Sequence, residues 1–238
     1  MTSTLSAPLC LSKKEHSLTL QNIQRNRRGH CSGGFFSYIC SMKRLLPIIL
    51  LATTLCIGCK PAWTARERDI IRSSDSLMYV TTIQADSAIL RTPSVDLGPK
   101  ELDSPELQTL LAKMLHTVTD PSQDGVGIAA PQVGINRRII LVQRFDKPGE
   151  PFEGYVNIRV DSLAGEIVTG REGCLSVPGL RGLVKRHSKI GISYTDISSH
   201  KRVAEEVEGF TAVIFQHECD HLDGILYIDK ADSLFISE

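Results

Sequence analysis

Gln216-His217-Glu218-Cys219-Asp220-His221 is the stretch from which this chain can be read. On a helix turning about 100° per residue, His217 and His221 sit about 40° apart on one face, so both imidazoles can reach a single point. Glu218 lies about 60° round from His221, beside that point. The pattern is His-Glu-x-x-His: two nitrogen ligands for a divalent metal, and next to them a carboxylate to handle a proton. Phe210, Val213 and Ile214 fall on the same face, which is therefore expected to point into the core. A buried histidine pair bonded to backbone would share this spacing, so a third ligand has to decide between the two.

Cys174 is the candidate. It stands in Glu172-Gly173-Cys174-Leu175-Ser176-Val177-Pro178-Gly179. Cys219 is nearer in sequence, but on a helix it points about 160–200° away from both histidines and cannot share their metal. One thiolate and two imidazoles leave a fourth position open, as a hydrolytic site requires and a closed structural site does not.

Composition sets the frame for this site. The 238 residues carry 27 basic and 27 acidic side chains and 42% hydrophobic residues, which suits one domain plus an extension. Balanced charge gives no electrostatic reason to expect nucleic acid as a partner. Of the seven cysteines, Cys10, Cys31, Cys40, Cys56 and Cys59 lie in the first quarter, leaving two in the body. Two cysteines make no disulfide framework.

Residues 1–41 hold one acid, Glu15, against Lys13, Lys14, Arg25, Arg27 and Arg28, and show no apolar periodicity. They read as disordered, or as an extension produced by a misplaced start codon with Met42 as the true start. Met42-Lys43-Arg44 then precedes the apolar run Leu45 to Ile57, too short to span a bilayer comfortably, and Gly58-Cys59-Lys60 closes it. A basic start, a short apolar run and a small residue form a secretory signal pattern. Cys56-Ile57-Gly58-Cys59 resembles the lipobox of bacterial lipoproteins, although Cys56 is an unusual occupant of its position. The expectation over 42–59 is therefore an exported, lipid-anchored chain. An organelle transit peptide over 1–59, a buried apolar helix, and a cytoplasmic protein are the alternatives. Residues 60–83 are charged and mixed and read as a linker or a frayed helix, with the folded domain over 84–238.

In the body, Ser104-Pro105 opens a helix whose Leu107, Leu110, Leu111, Met114, Leu115 and Val118 share one face. Gly125 to Gly134 is a glycine-rich loop. It has neither dinucleotide-loop spacing nor a P-loop lysine, which excludes a phosphate cradle of those types. Ile139 to Val142, Tyr155 to Ile158, Glu166 to Val168 and Lys189 to Thr195 are strand candidates, the last alternating as a half-buried strand does. The histidine helix is expected from about Glu208-Gly209 to Gly224, a C-terminal glycine. Short strands between helices without a βαβ rhythm indicate an α+β fold.

Three motifs now stand in order: Gly-x-Gly-Ile-Ala-Ala-Pro-Gln from Gly125, Glu-Gly-Cys-Leu-Ser from Glu172, and Gln-His-Glu-x-Asp-His-Leu-x-Gly from Gln216. Together they resemble the peptide deformylase family, over about Ile89 to Ile228. The resemblance implies an α+β fold in which a central metal-binding helix is wrapped by small antiparallel sheets. It also implies removal of the formyl group from N-terminal formylmethionine, so N-formylmethionyl peptides are the expected partner. Carried over by motif position, Cys174, His217 and His221 bind the metal, and Glu218 is the general acid/base for a metal-activated water. Gln132 and the backbone N–H of Leu175 hold the oxyanion, and Gly127 and Ile128 offer backbone to the peptide as an added strand. The family implies one iron(II) per chain, with Zn2+, Ni2+ or Co2+ as substitutes; the ligand types alone suit several of these. A monomer is expected. Glu172 and Arg181 are read as an ion pair supporting the cysteine loop.

Two features depart from the family. The chain stops at Glu238 without the C-terminal helix of many members, which leaves ribosome contact open. The export-like leader points away from nascent chains and towards exported peptides. The rival reading is a His-Glu-x-x-His zinc peptidase, whose third ligand would have to come from Asp223, Asp229 or Asp232. A non-catalytic peptide-binding relative predicts loss of Glu218 or Gln132, and both are present.

Overall fold

The computed structural model describes residues 62–123 and 125–236. The extension over 1–41 and the export-like segment over 42–59 lie outside the described residues. Among the described residues no helix is long and apolar enough to cross a membrane.

The first helix among the described residues is α1 (Ala65–Arg72), opened by a capping box between Thr64 and Glu67. Two short helices follow, α2 (Ser87–Arg91) and α3 (Pro99–Leu102), then α4 (Pro105–Val118). Ser104 caps α4 through its side chain and Pro105 fills the first turn, where no amide donor is needed. Strand β1 (Gly127–Ala129), a 3-10 turn (Ala130–Val133), β2 (Ile139–Gln143), β3 (Phe152–Glu172), β4 (Leu180–Thr195) and β5 (Arg202–Glu208) come next. Helix α5 (Gly209–Leu222), a second 3-10 turn (Tyr227–Asp229) and β6 (Ala231–Ile236) complete it. The strands form one antiparallel sheet in the order β1-β2-β3-β4-β5, with β6 paired to the start of β4.

Strand β2 explains the architecture. Its run Ile139-Ile140-Leu141-Val142 is apolar throughout because both faces are covered. Ile139 and Leu141 pack with Leu107, Leu110 and Met114 of α4. Ile140 and Val142 pack with Ile214, Phe215 and Leu222 of α5. The metal-motif helix is thus held by an apolar layer on one side of the sheet, and α4 closes the other side. Helix α5 stops at Leu222, and Gly224 takes the left-handed conformation (φ +74°), as its motif position implied. A Cβ there would meet the Arg91 carbonyl oxygen at 2.4 Å, so the turn needs glycine on both counts.

Three expectations are corrected. Residues 65–72 are neither linker nor frayed: α1 packs on α4, with Trp63 and Ile71 buried in the same cluster as Leu107 and Met114. Glu67 reaches across to Arg137 at 2.6 and 2.8 Å, and the Arg137 guanidinium lies over the Trp63 ring. Phe210 does not face the core but is 57% exposed, touching Phe145, because the first turn of α5 emerges at the edge of the sheet. Finally, Glu172 pairs with Arg186 rather than Arg181, since Arg186 and not Arg181 projects from β4 onto the buried side beside α5.

Candidate active site

Three elements meet where the motifs converge. Helix α5 supplies His217 and His221, the turn after β3 supplies Cys174, and the 3-10 turn after β1 supplies Gln132. The ligand atoms of Cys174, His217 and His221 all lie within 4.8 Å of one another. Cys174 Sγ is 3.1 Å from His221 Nε2, and Gln132 Nε2 approaches the same sulfur at 3.5 Å. Gln132 is itself fixed, because its Oε1 accepts the backbone N–H of Ala129 at 2.8 Å. Its amide therefore presents an N–H to the site.

Glu218 sits one residue along from His217 on the same helix, only 4% exposed, with Oε2 buried and unpartnered among the described residues. Burial pushes its carboxyl up to about 7, against the pull of His217 and His221. A carboxyl that titrates near neutrality can accept and return a proton. Gly127 of β1 lies directly against it: a Cβ at that position would stand 2.6 Å from Glu218 Oε1. Among the described residues β1 pairs on one edge only, with β2, leaving Gly127 and Ile128 on a free strand edge beside the site.

The electrostatics suit a cation. Burial alone would raise the Cys174 thiol, yet His221 and His217 outweigh it and hold it at about 5, a thiolate at neutral pH. Burial likewise works against a charged His217, but Cys174 and Glu172 raise its pKa well above the ordinary value. The Cys174 thiolate and the Glu172 carboxylate flank His217 on either side, so the cluster concentrates negative charge of the kind a divalent cation offsets. Glu172 Oε2 lies 2.8 Å from His217 Nδ1, which leaves Nε2 as the free ligand atom. The donor set therefore fits an ion of borderline softness.

The three downstream acids that a peptidase reading needs are engaged elsewhere. Asp223 pairs with Arg138, Asp229 with Arg91 and Asp232 with Lys185. None joins the cluster of Cys174, His217 and His221.

Residues 80–235 match the model of the family described as Polypeptide deformylase. The chain belongs to that family. A peptide deformylase of Leptospira biflexa is 36% identical over 152 residues, covering 61% of this chain and 83% of that protein. Peptide deformylase 2 of Bordetella bronchiseptica is 44% identical over 131 residues, 52% of this chain and 73% of that one. A class I type b peptide deformylase from Acinetobacter baumannii, solved with Met-Ala-Ser bound, superposes with a TM-score of 0.58 at 34% identity, covering 65% of this chain and 98% of that one. The deformylase of Synechococcus elongatus, solved with actinonin, gives 0.59 at 31% identity over 68% of this chain and 84% of that one.

Within this deformylase fold, Cys174, His217, His221, Gln132, Glu218 and Gly127 come to one place. Ile128 joins them through its backbone on β1 while its side chain packs in the cluster of α4, and the N–H of Leu175, next to Cys174 in the chain, has no described contact. The residue that sequence reasoning misses is Glu172: read there only as support for the cysteine loop, it lies against the His217 ring and holds a metal-ligand candidate. Its position two residues before Cys174 was the available signal. Arg186, Asp220 and Lys230, linked behind Glu172, were not legible as a group.

Proposed function

We propose that this protein is a metal-dependent peptide deformylase that removes the formyl group from N-terminal formylmethionine of peptides. The observation that carries the reading is the convergence of Cys174, His217 and His221 beside a buried, unpartnered Glu218 carboxylate oxygen. When bound, the ion supplies a Lewis acid that polarises the formyl carbonyl and makes water acidic enough to ionise near neutral pH. Iron(II) is the ion proposed, with zinc, nickel or cobalt able to take its place on the same three ligands.

The chain's own residues do the rest. Glu218 takes the proton of the attacking water and returns it to the departing amine nitrogen, so the same carboxyl serves both halves of the hydrolysis. Gln132 Nε2 and the Leu175 N–H donate to the formyl oxygen as negative charge builds on it. The free edge of β1 at Gly127 and Ile128 receives the peptide backbone as an added strand, which sets the formyl group over the ligands. Formate release from a formyl-Met-Ala-Ser peptide, run beside its acetylated analogue, tests the activity. Formate with the acetyl peptide intact supports it; no formate from an ion-loaded, folded sample would sink it.

For location, the proposal rests on Met42-Lys43-Arg44, the apolar run to Ile57, and Cys59: export followed by lipid attachment at Cys59. Exported formyl peptides are then the substrates. Wild-type chain in the membrane fraction, released by Cys59→Ser, is the expected result; soluble, unprocessed wild type contradicts it.

A further inference from the structure

Behind the ligand cluster, three buried charges and one exposed lysine are linked in a chain that the deformylation chemistry does not use. Glu172 ends β3, Arg186 lies on β4, Asp220 is on α5, and Lys230 follows the second 3-10 turn. Arg186 donates twice to Glu172, from Nε to Oε1 at 2.6 Å and from Nη2 to Oε2 at 2.9 Å. Its remaining arm, Nη1, reaches Asp220 Oδ2 at 2.6 Å, and Lys230 Nζ holds Asp220 Oδ1 at 2.6 Å. Glu172, Arg186 and Asp220 are all buried. A buried ion pair of this kind is weak evidence for stability alone, because desolvation offsets most of the attraction. Geometry is what it supplies.

The geometry converges on one atom. Glu172 Oε2 is shared between Arg186 Nη2 and His217 Nδ1. Without the guanidinium fork the carboxylate could rotate about its last bonds, and the imidazole ring would turn with it. With the fork, both oxygens are fixed and the ring is aimed. We propose that Arg186 is a positioning residue for the metal site: acting through Glu172, it fixes the orientation of His217 and so raises the affinity of the Cys174–His217–His221 cluster for its ion. This rests on the metal-site reading above. Asp220 and Lys230 complete the device by keeping the third arm of Arg186 anchored to α5, the helix that carries the ligand. A fork is required because a lysine ammonium is a point charge and cannot hold both carboxylate oxygens in one plane.

The test is a cycle of variants read by cobalt(II) binding to the full chain, as affinity in competition with a chelator and as the visible absorption of the bound ion. Wild type is expected to bind. Arg186→Lys is expected to bind roughly 10–100-fold more weakly, with an altered cobalt spectrum, the range usual for loss of a group that orients a ligand. If Arg186 acts through Glu172, the arginine effect should vanish in the Glu172→Gln background. The double variant Glu172→Gln/Arg186→Met removes one charge of each sign and leaves Asp220 paired with Lys230, so it keeps the buried charges balanced even where Arg186→Lys fails to fold. Equal cobalt affinity for Glu172→Gln and the double variant supports the proposal. Wild-type affinity in Arg186→Lys, or a further loss in the double variant, overturns it. Failure of the wild type to bind cobalt would instead overturn the metal-site reading, and this proposal with it.

Discussion

Gly127 and Glu218 are in contact across the boundary between β1 and α5: a methyl group added at Gly127 would lie 2.6 Å from Glu218 Oε1 and 2.9 Å from Ile214 Cγ2. The glycine therefore leaves the space that the Glu218 carboxylate occupies. Gly127→Ala is expected to push the carboxylate out of line and lower turnover by about 100-fold, the scale of a misplacement near 1 Å. Ion content should stay unchanged, because the three atoms nearest the added carbon belong to Glu218 and Ile214 and not to Cys174, His217 or His221. Steady-state rates and bound-ion analysis on one preparation check this; an unchanged rate would show that Glu218 has room to spare.

The N-terminal arm is part of the folded unit. Trp63 is buried against α4, its indole N–H donates to Ser104 Oγ at 2.9 Å, and its ring receives the Arg137 guanidinium. Trp63→Ala should destabilise the protein by about 3–5 kcal/mol, as loss of a large buried aromatic does. A chain starting at residue 84 would lack α1 and Trp63 altogether and should fail to fold cooperatively. Thermal unfolding of the two variants beside the chain from residue 60 decides the matter.

Glu67 gives that arm a pH dependence. Burial would raise its carboxyl, but Arg137 and the Thr64 backbone N–H outweigh this and hold it below the ordinary 4.5. A depressed carboxyl contributes stability that is fully present above the unfolded value and is lost as pH falls through the folded one. Glu67→Gln should therefore be less stable than wild type at neutral pH, by up to about 3 kcal/mol, with the gap closing as the solution is acidified below about 4.5. Denaturant titrations at several pH values measure it. A gap independent of pH would assign the effect to packing.

Much of the site was legible from sequence because its parts are local. The two histidines and Glu218 follow from helical period within six residues, and the start of α4 follows from Ser104-Pro105. What escaped depends on distant partners. Nothing in Ala65–Arg72 betrays that Glu67 meets a guanidinium at Arg137, and the largely charged octet reads as exposed. Arg186 and Asp220 lie on different elements, so their link to Glu172 exists only once β4 and α5 are packed. Strand β3 was legible only in pieces: its second half is exposed on both faces, and without a buried face there is no alternation to read.

The most direct measurement compares wild type with Glu218→Ala, each loaded with iron(II) under anaerobic conditions, recording bound ion and formate release from formyl-Met-Ala-Ser on the same samples. The expected result is one ion per chain in both, since the three ligands are untouched. Formate should come from the wild type, with the rate falling at least 100-fold in the variant. Turnover by Glu218→Ala at the wild-type rate would contradict the central claim that this buried carboxyl moves the proton.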